Sequence, residues 1–242
     1  MSTIVIPMAG AGTRFASAGY KLPKYLIKKD NKTLLELSLS GLPLDSIDRV
    51  VFVALQEHVE EYDLVDKYLR NLMAPDKFIL STILSPTDGQ AQTVLAAREH
   101  INPNSDLIIY NIDTVYRSSN QAALLGDVNR KHDGIIGVHL HGGNNWSFAR
   151  VDSQGFVVET AEKRRISRYA STGFYHFTKA SDFLSVADEH VSNNLRSSNE
   201  FYVAPLYNDM IRSGRKFVID IVDQFVPLGT PQELAEAQLE SL

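Results

Sequence analysis

Ile4-Val-Ile-Pro7-Met8-Ala9-Gly10-Ala11-Gly12-Thr13-Arg14-Phe15 is a short apolar run that passes directly into a loop of small residues and leaves it on an arginine. The apolar run reads as a buried strand, since it is compact rather than alternating. Small residues let the backbone pass close to a ligand, and successive N–H groups in such a turn form a concave anion site. A Walker A loop would end in Gly-Lys-Ser/Thr, whereas here Gly12 precedes Thr13-Arg14. A dinucleotide fingerprint would need a third glycine where Phe15 stands. Phosphate binding by another kind of loop is the expectation.

Ten residues beyond Arg14 comes Lys24, in Lys21-Leu-Pro23-Lys24. A guanidinium grips phosphate oxygens with two parallel bonds, and a lysine adds a compact point charge. Pro23 stiffens the chain that presents the ammonium. Two such cations suit a polyphosphate whose charge shifts during reaction.

Further along, Val50–Leu55, Phe78–Ile83 and Leu107–Tyr110 repeat the compact apolar pattern, and Leu34–Leu39, Glu57–Leu72 and Ala91–His100 carry helical spacing between them. The alternation predicts an α/β chain with a mostly parallel central sheet. From Gly134 the character changes. Gly134–Leu140, Ser147–Val151, Phe156–Thr160 and Ser171–Phe177 read as short strands, then helices at Ala180–His190 and Phe201–Arg212, a strand at Phe217–Val222, and a terminal helix after Pro231 with Thr230 as its cap. One domain is expected over 1–242, residues 1–133 forming one half and a β-rich insertion opening the other, 134–242.

Asp113 closes an otherwise apolar strand, so its carboxylate should emerge at the carboxyl edge of the sheet, where open α/β folds place ligands. A hard carboxylate oxygen suits Mg²⁺, and a turn or capping role is the alternative. His139 and His141 share a strand face, read as surface rather than metal ligands for want of a third donor. The basic run Lys163-Arg164-Arg165, with Arg168 and Tyr169, is too short to mark a nucleic-acid site and reads as an anion-binding wall.

Composition narrows the classes further. The 242 residues carry 24 Lys+Arg against 29 Asp+Glu, a formal charge of −5, which argues against a dedicated nucleic-acid binder. The absence of cysteine removes disulfides, thiolate metal sites and thiol nucleophiles. No run approaches the roughly 20 apolar residues of a spanning helix, and the N-terminal residues lack a basic leader, so a cytoplasmic protein without a membrane partner is expected. A homo-oligomer is left open.

Gly10-Ala-Gly12-Thr-Arg14-Phe15 followed by Pro23-Lys24 resembles the signature of the sugar-1-phosphate nucleotidylyltransferases, or nucleoside-diphosphate-sugar pyrophosphorylases. Four later segments resemble that family in its order: Ser85-Pro86-Thr-Asp88-Gly89-Gln90, Asn111-Ile-Asp113, Glu162-Lys163 and Ser171-Thr172-Gly173, with Leu228-Gly229-Thr230-Pro231 closing. The resemblance implies a three-layer Rossmann-like fold, an NTP and a sugar 1-phosphate as substrates, and Mg²⁺. It places Ala9, Gly10, Ala11, Gly12, Thr13, Asp88, Gly89 and Gln90 on the nucleotide. Phe148, Ala149, Glu162, Thr172 and Gly173 fall on the acceptor, Asp113 on the metal, and Arg14, Lys24 and Lys163 on the reacting phosphates. Where the family carries a second metal-binding Asp, this chain has Pro227, leaving Asp223 or Asp220 as candidates, or a site that relies on Asp113 and water. Two alternatives stand beside this reading: a cytidylyltransferase for a phosphorylated acceptor that is not a sugar, and a non-catalytic nucleotide-binding module.

Overall fold

A computed structural model describes residues 2–239 of the chain. Strand β1 (Ser2–Pro7) runs into the glycine loop and the one-turn helix α1 (Thr13–Ser17). A small hairpin, β2 (Lys28–Lys29) with β3 (Lys32–Thr33), leads to α2 (Leu34–Leu39), which Thr33 and Glu36 start with reciprocal side-chain caps. Next come β4 (Arg49–Leu55), α3 (Gln56–Tyr62), a π-helical turn at Val65–Leu69, and α4 (Arg70–Leu72). The single helix expected over Glu57–Leu72 is thus broken. Asp63, in the left-handed region at φ 51°, ends its first part.

Strand β5 (Phe78–Ile83), helix α5 (Gln90–Ala96) and strand β6 (Asp106–Tyr110) complete the first half's parallel units. β1 lies between β4 and β6, and β5 flanks β4, all four parallel. The three inner strands β1, β4 and β6 are buried on both faces, and β5 lies half-buried at the edge. Ile4, Ile6, Phe52, Ile108 and Tyr110 pack into the core beneath α2, while Val5, Val51, Leu107 and Ile109 pack beneath α5. Double-sided burial explains runs that are apolar throughout.

Beyond β6 the chain forms β7 (Thr114–Arg117), α6 (Gln121–Gly126), β8 (Gly134–Leu140), β9 (Ser147–Val151), β10 (Val157–Glu162) and β11 (Tyr169–Phe177). Helices α7 (Ala180–Ser192) and α8 (Tyr207–Arg212), strands β12 (Phe217–Ile221) and β13 (Gln224–Pro227), and helix α9 (Pro231–Glu236) follow. β11 joins the first half to the second, pairing antiparallel with β6, β8 and β9. The β-rich stretch therefore extends the main sheet to nine strands, with β12 parallel to β8. This is the Rossmann-like α/β architecture the sequence predicts.

Helix α8 begins six residues after the expected Phe201, because Phe201 is committed elsewhere. Its N–H donates to the Asp88 carbonyl at 2.8 Å and its carbonyl accepts from Ala91 N–H at 2.9 Å. The last helix returns to the start of the chain. Leu228 and Leu234 pack with Phe15, Ile27, Leu34 and Val115 in a small third core.

Candidate active site

A cleft of about 610 Å³ opens where the parallel strands end. Met8 and residues 10–16 follow β1, His58 follows β4, 87–90 follow β5, and Asn111, Ile112 and Asp113 follow β6, all lining it. This is the position that open α/β sheets offer to ligands.

Along its floor runs the glycine loop. Met8 N–H is bonded to the Val53 carbonyl at 2.8 Å, and the next bonded amide is Phe15 N–H, on the Gly12 carbonyl at 3.1 Å. Among the described residues the amides from Ala9 to Arg14 have no internal acceptor, a row of donors suited to an anion. Gly12 supplies the left-handed conformation (φ 59°) that turns the loop into α1. Gly10, Ala11, Gly12, Thr13 and Arg14 line the cleft, while Ala9 is fully buried behind them.

Lys24 enters from the far side, on a tight turn at Lys24–Leu26 that follows Pro23. Its Nζ donates to Asp113 Oδ2 at 2.6 Å, both side chains being partly exposed. Asp113 is tied to the closing segment by its own backbone, whose carbonyl accepts from Leu228 N–H at 2.7 Å. The donor set suits a divalent cation such as Mg²⁺. Asp113 offers a hard oxygen inside an anion-binding cleft, and a cation, the Lys24 ammonium, already rests on it.

The loop at Asp88, Gly89 and Gln90 forms the opposite wall. Asp88 pairs with Arg196 at 2.8 Å, and Arg196 stacks over the Phe201 ring at 4.5 Å. Gly89 sits at φ 134°, and a Cβ there would lie 2.5–2.9 Å from the Phe201 backbone. The segment at 196–202 is thereby strapped onto this loop, and it brings Asn199, Glu200 and Tyr202 to the cleft. Sequence reading does not reveal this wall, because docking on a loop 108 residues away creates it.

Tyr202 links the strap to the second half. Lys163, held at φ 51°, donates from Nζ to Tyr202 Oη at 2.7 Å, and that bond foremost raises the lysine's pKa. Glu162 beside it bonds Ser147, and burial pushes its carboxyl up, against the opposing pull of Lys163 and Arg14. Gly173 (φ 83°) lies against Asn111, a cleft residue whose N–H donates to the Gly173 carbonyl at 3.2 Å.

Other expected residues lie elsewhere. Phe148 and Ala149 are each 1% exposed, within the packed interior. Thr172 is buried with its hydroxyl against Gly137. Asp223 accepts from Ser119 N–H at 2.7 Å and is bonded through its own N–H to the Arg117 carbonyl, at the end of the β7–β13 ribbon remote from Asp113. Asp220 is buried on β12 near Ser118 and Gln121, and neither aspartate lines the cleft. The structure thus directs both second-ligand candidates away from Asp113. Arg164 pairs with Glu159 at 2.8 Å and Arg165 donates to the Gly142 carbonyl at 2.7 Å, so within the basic run it is Lys163 that turns to Tyr202. His139 stacks on Phe225 at 3.7 Å, and burial depresses its pKa to about 4, a packed neutral imidazole. No group of three or more metal-ligating side chains is found among the described residues, nor a helix long and apolar enough to cross a membrane.

Comparison with known proteins agrees with this geometry. The profile of the Nucleotidyl transferase family matches residues 4–240. The nucleoside-diphosphate-sugar pyrophosphorylase of Vibrio cholerae RC9 is 30% identical, with 96% of this chain and 98% of that one superposed at a TM-score of 0.81. A UDP-glucose pyrophosphorylase solved with UDP-glucose shares the fold at 16% identity, covering 98% of this chain and 96% of its own with a TM-score of 0.77. No curated protein gives a significant match. A family profile over nearly the whole chain and a 30%-identical relative of the same length show that the chain belongs to the nucleotidyl transferase family and is a nucleotidyltransferase.

Proposed function

We propose that the chain transfers a nucleotidyl group from an NTP to a sugar 1-phosphate, forming a nucleoside-diphosphate sugar and releasing pyrophosphate. The observation that carries this reading is the meeting of Arg14, Lys24 and Asp113 in one cleft with the free amides of residues 10–14. The kinship with the Vibrio cholerae pyrophosphorylase supports the sugar phosphate as acceptor.

In this mechanism an acceptor phosphate oxygen attacks the α-phosphorus in line, and the bond from that phosphorus to the pyrophosphate oxygen breaks. Such transfers need alignment and charge stabilisation more than covalent help. Arg14 and the Gly10–Thr13 amides hold the departing pyrophosphate. Lys24 neutralises the α-phosphate, and Lys163, steadied by Tyr202, holds the acceptor phosphate. Asp113 would hold Mg²⁺, which supplies further neutralisation of phosphate oxygens when bound. No general base is required, since a phosphate monoester is already ionised near pH 7.

Labour divides between the halves in this reading, 1–133 holding the nucleotide and 134–242 the acceptor. The test is a pyrophosphate-release assay with Mg²⁺, crossing four NTPs and dTTP with sugar 1-phosphates and other phosphorylated acceptors. Turnover with a sugar 1-phosphate is expected. Turnover solely with a non-sugar acceptor would replace that part of the assignment, and NTP binding with no product from any pair would overturn the catalytic reading.

A further inference from the structure

Helices α2 and α9 start alike, with threonine as the N-cap and glutamate at the third helical position, yet the two glutamates do different things. Thr33 Oγ1 accepts from Glu36 N–H at 3.1 Å and Glu36 Oε2 accepts from Thr33 N–H at 2.6 Å, a complete capping box. Thr230 Oγ1 likewise accepts from Glu233 N–H at 3.1 Å, but the Glu233 carboxylate does not reach back. Among the described residues it has neither a hydrogen-bond nor an ion-pair partner.

Its position is informative. A Cβ built on Gly229 would lie 3.2 Å from Glu233 Oε2 and 3.3 Å from Asp113 Oδ2. Both carboxylate oxygens therefore border the same space beside a bare glycine. Their backbones are fixed there: Leu228 N–H is bonded to the Asp113 carbonyl, and Leu234 anchors α9 in the core that holds Phe15. Like charges set this close repel unless a cation joins them. Lys24 reaches Asp113 and leaves Glu233 unmatched. Hard oxygen donors on both sides favour a divalent ion of the Mg²⁺ type.

We propose that Glu233 supplies the second carboxylate of the divalent-cation site at Asp113, in place of a donor that Pro227 cannot provide, with Gly229 kept bare to leave room between them. The proposal rests on the nucleotidyl-transfer reading of the cleft, and its test separates the two. Mn²⁺ alone is titrated into the full-length chain without nucleotide, following the free-ion electron paramagnetic resonance signal. Glu233→Gln and Asp113→Asn should each weaken Mn²⁺ binding roughly tenfold or more, Gly229→Ala should weaken it too, and Glu36→Gln, at the matching place on α2, should leave it unchanged. Wild-type affinity in Glu233→Gln, or no Mn²⁺ binding by the wild type into the millimolar range, overturns the proposal. Should Glu233→Gln fail to fold, Glu233→Asp, which keeps the charge on a shorter stem, is read by the same criterion. Thermal protection by NTP in EDTA reports on the glycine loop and Lys24 alone, so its persistence shows that the nucleotide reading survives a failure here.

Discussion

Lys24 Nζ donates to Asp113 Oδ2 at 2.6 Å, joining residues 89 positions apart across the mouth of the cleft. Partly exposed ion pairs contribute only ~0–1 kcal/mol, so this pair does little for the fold. In the proposed mechanism its role lies in the site, where the cation assigned to a phosphate rests on the carboxylate assigned to a metal. Lys24→Ala and Arg14→Ala should each lower kcat by roughly 10²-fold or more, with melting temperature almost unchanged. Pyrophosphate release and a thermal melt check both halves of that statement, and near-wild-type turnover in the two variants would refute the assigned roles.

On the same proposal, the pair makes metal and nucleotide binding interdependent. Without metal, an incoming phosphate must draw Lys24 away from Asp113 and then face its uncovered negative charge. Asp113→Asn removes both costs. In EDTA the variant should bind NTP several-fold more tightly than the wild type by calorimetry, while losing most of the tightening that Mg²⁺ confers. Equal metal-free affinities would show that the pair does not compete with the nucleotide.

Gly89 tests the strap. At φ 134°, with the Phe201 backbone 2.5–2.9 Å from any added Cβ, alanine cannot be accommodated unless the 196–202 segment moves. Gly89→Ala should destabilise the chain by about 2 kcal/mol or more and weaken NTP protection in a thermal-shift measurement. Gly10→Ala is the comparison, since a Cβ there meets nothing within 4 Å and the fold should tolerate it.

What could be read from sequence divides along the same physical line. β1, β4 and β6 are legible because double-sided burial leaves near-continuous apolar runs, and β5 because it opens on Phe78-Ile-Leu80. The glycine loop is legible because its chemistry lies within one short segment. β7 and β13 escape notice: each has four residues, and β13 ends on Pro227, so neither shows a period. The Asn199–Tyr202 wall and the placement of Glu233 arise from contacts between distant segments, which no local pattern records. Phe148 and Ala149 are placed by resemblance, and their burial follows from pairing with β10 and β11, which local sequence does not specify.

In the proposed mechanism Tyr202 acts through Lys163. The phenol oxygen accepts from Lys163 Nζ at 2.7 Å, and the ammonium also lies 4.9 Å from the ring centroid. Tyr202→Phe keeps the ring and removes the oxygen that fixes the ammonium. The expected result is a several-fold rise in KM for the phosphorylated acceptor, with NTP affinity unchanged and a smaller effect on kcat. An equal loss in NTP affinity would mean that the phenol belongs to the nucleotide wall instead.

Asp220 offers a pH-dependent test of the site's boundaries. It is 1% exposed, and its carboxylate oxygens make no well-formed hydrogen bond. Burial holds its carboxyl above the usual carboxylate range. The native state therefore holds that proton more tightly than the unfolded chain does, so stability from this group is present at low pH and is lost as pH rises through the raised value. At pH 7 the carboxyl is ionised in the unfolded chain and burial opposes that charge in the native state, a cost that Asp220→Asn does not carry. The variant should melt higher at pH 7, by roughly 2–4 °C for each kcal/mol relieved. Its advantage should shrink on acidification and vanish below about pH 4, where the unfolded carboxyl is also protonated. Because Asp220 lies outside the cleft, Mn²⁺ binding and pyrophosphate release should stay at wild-type levels. A folded Asp220→Asn that loses Mn²⁺ would return this residue to the metal site and remove the need for Glu233 there.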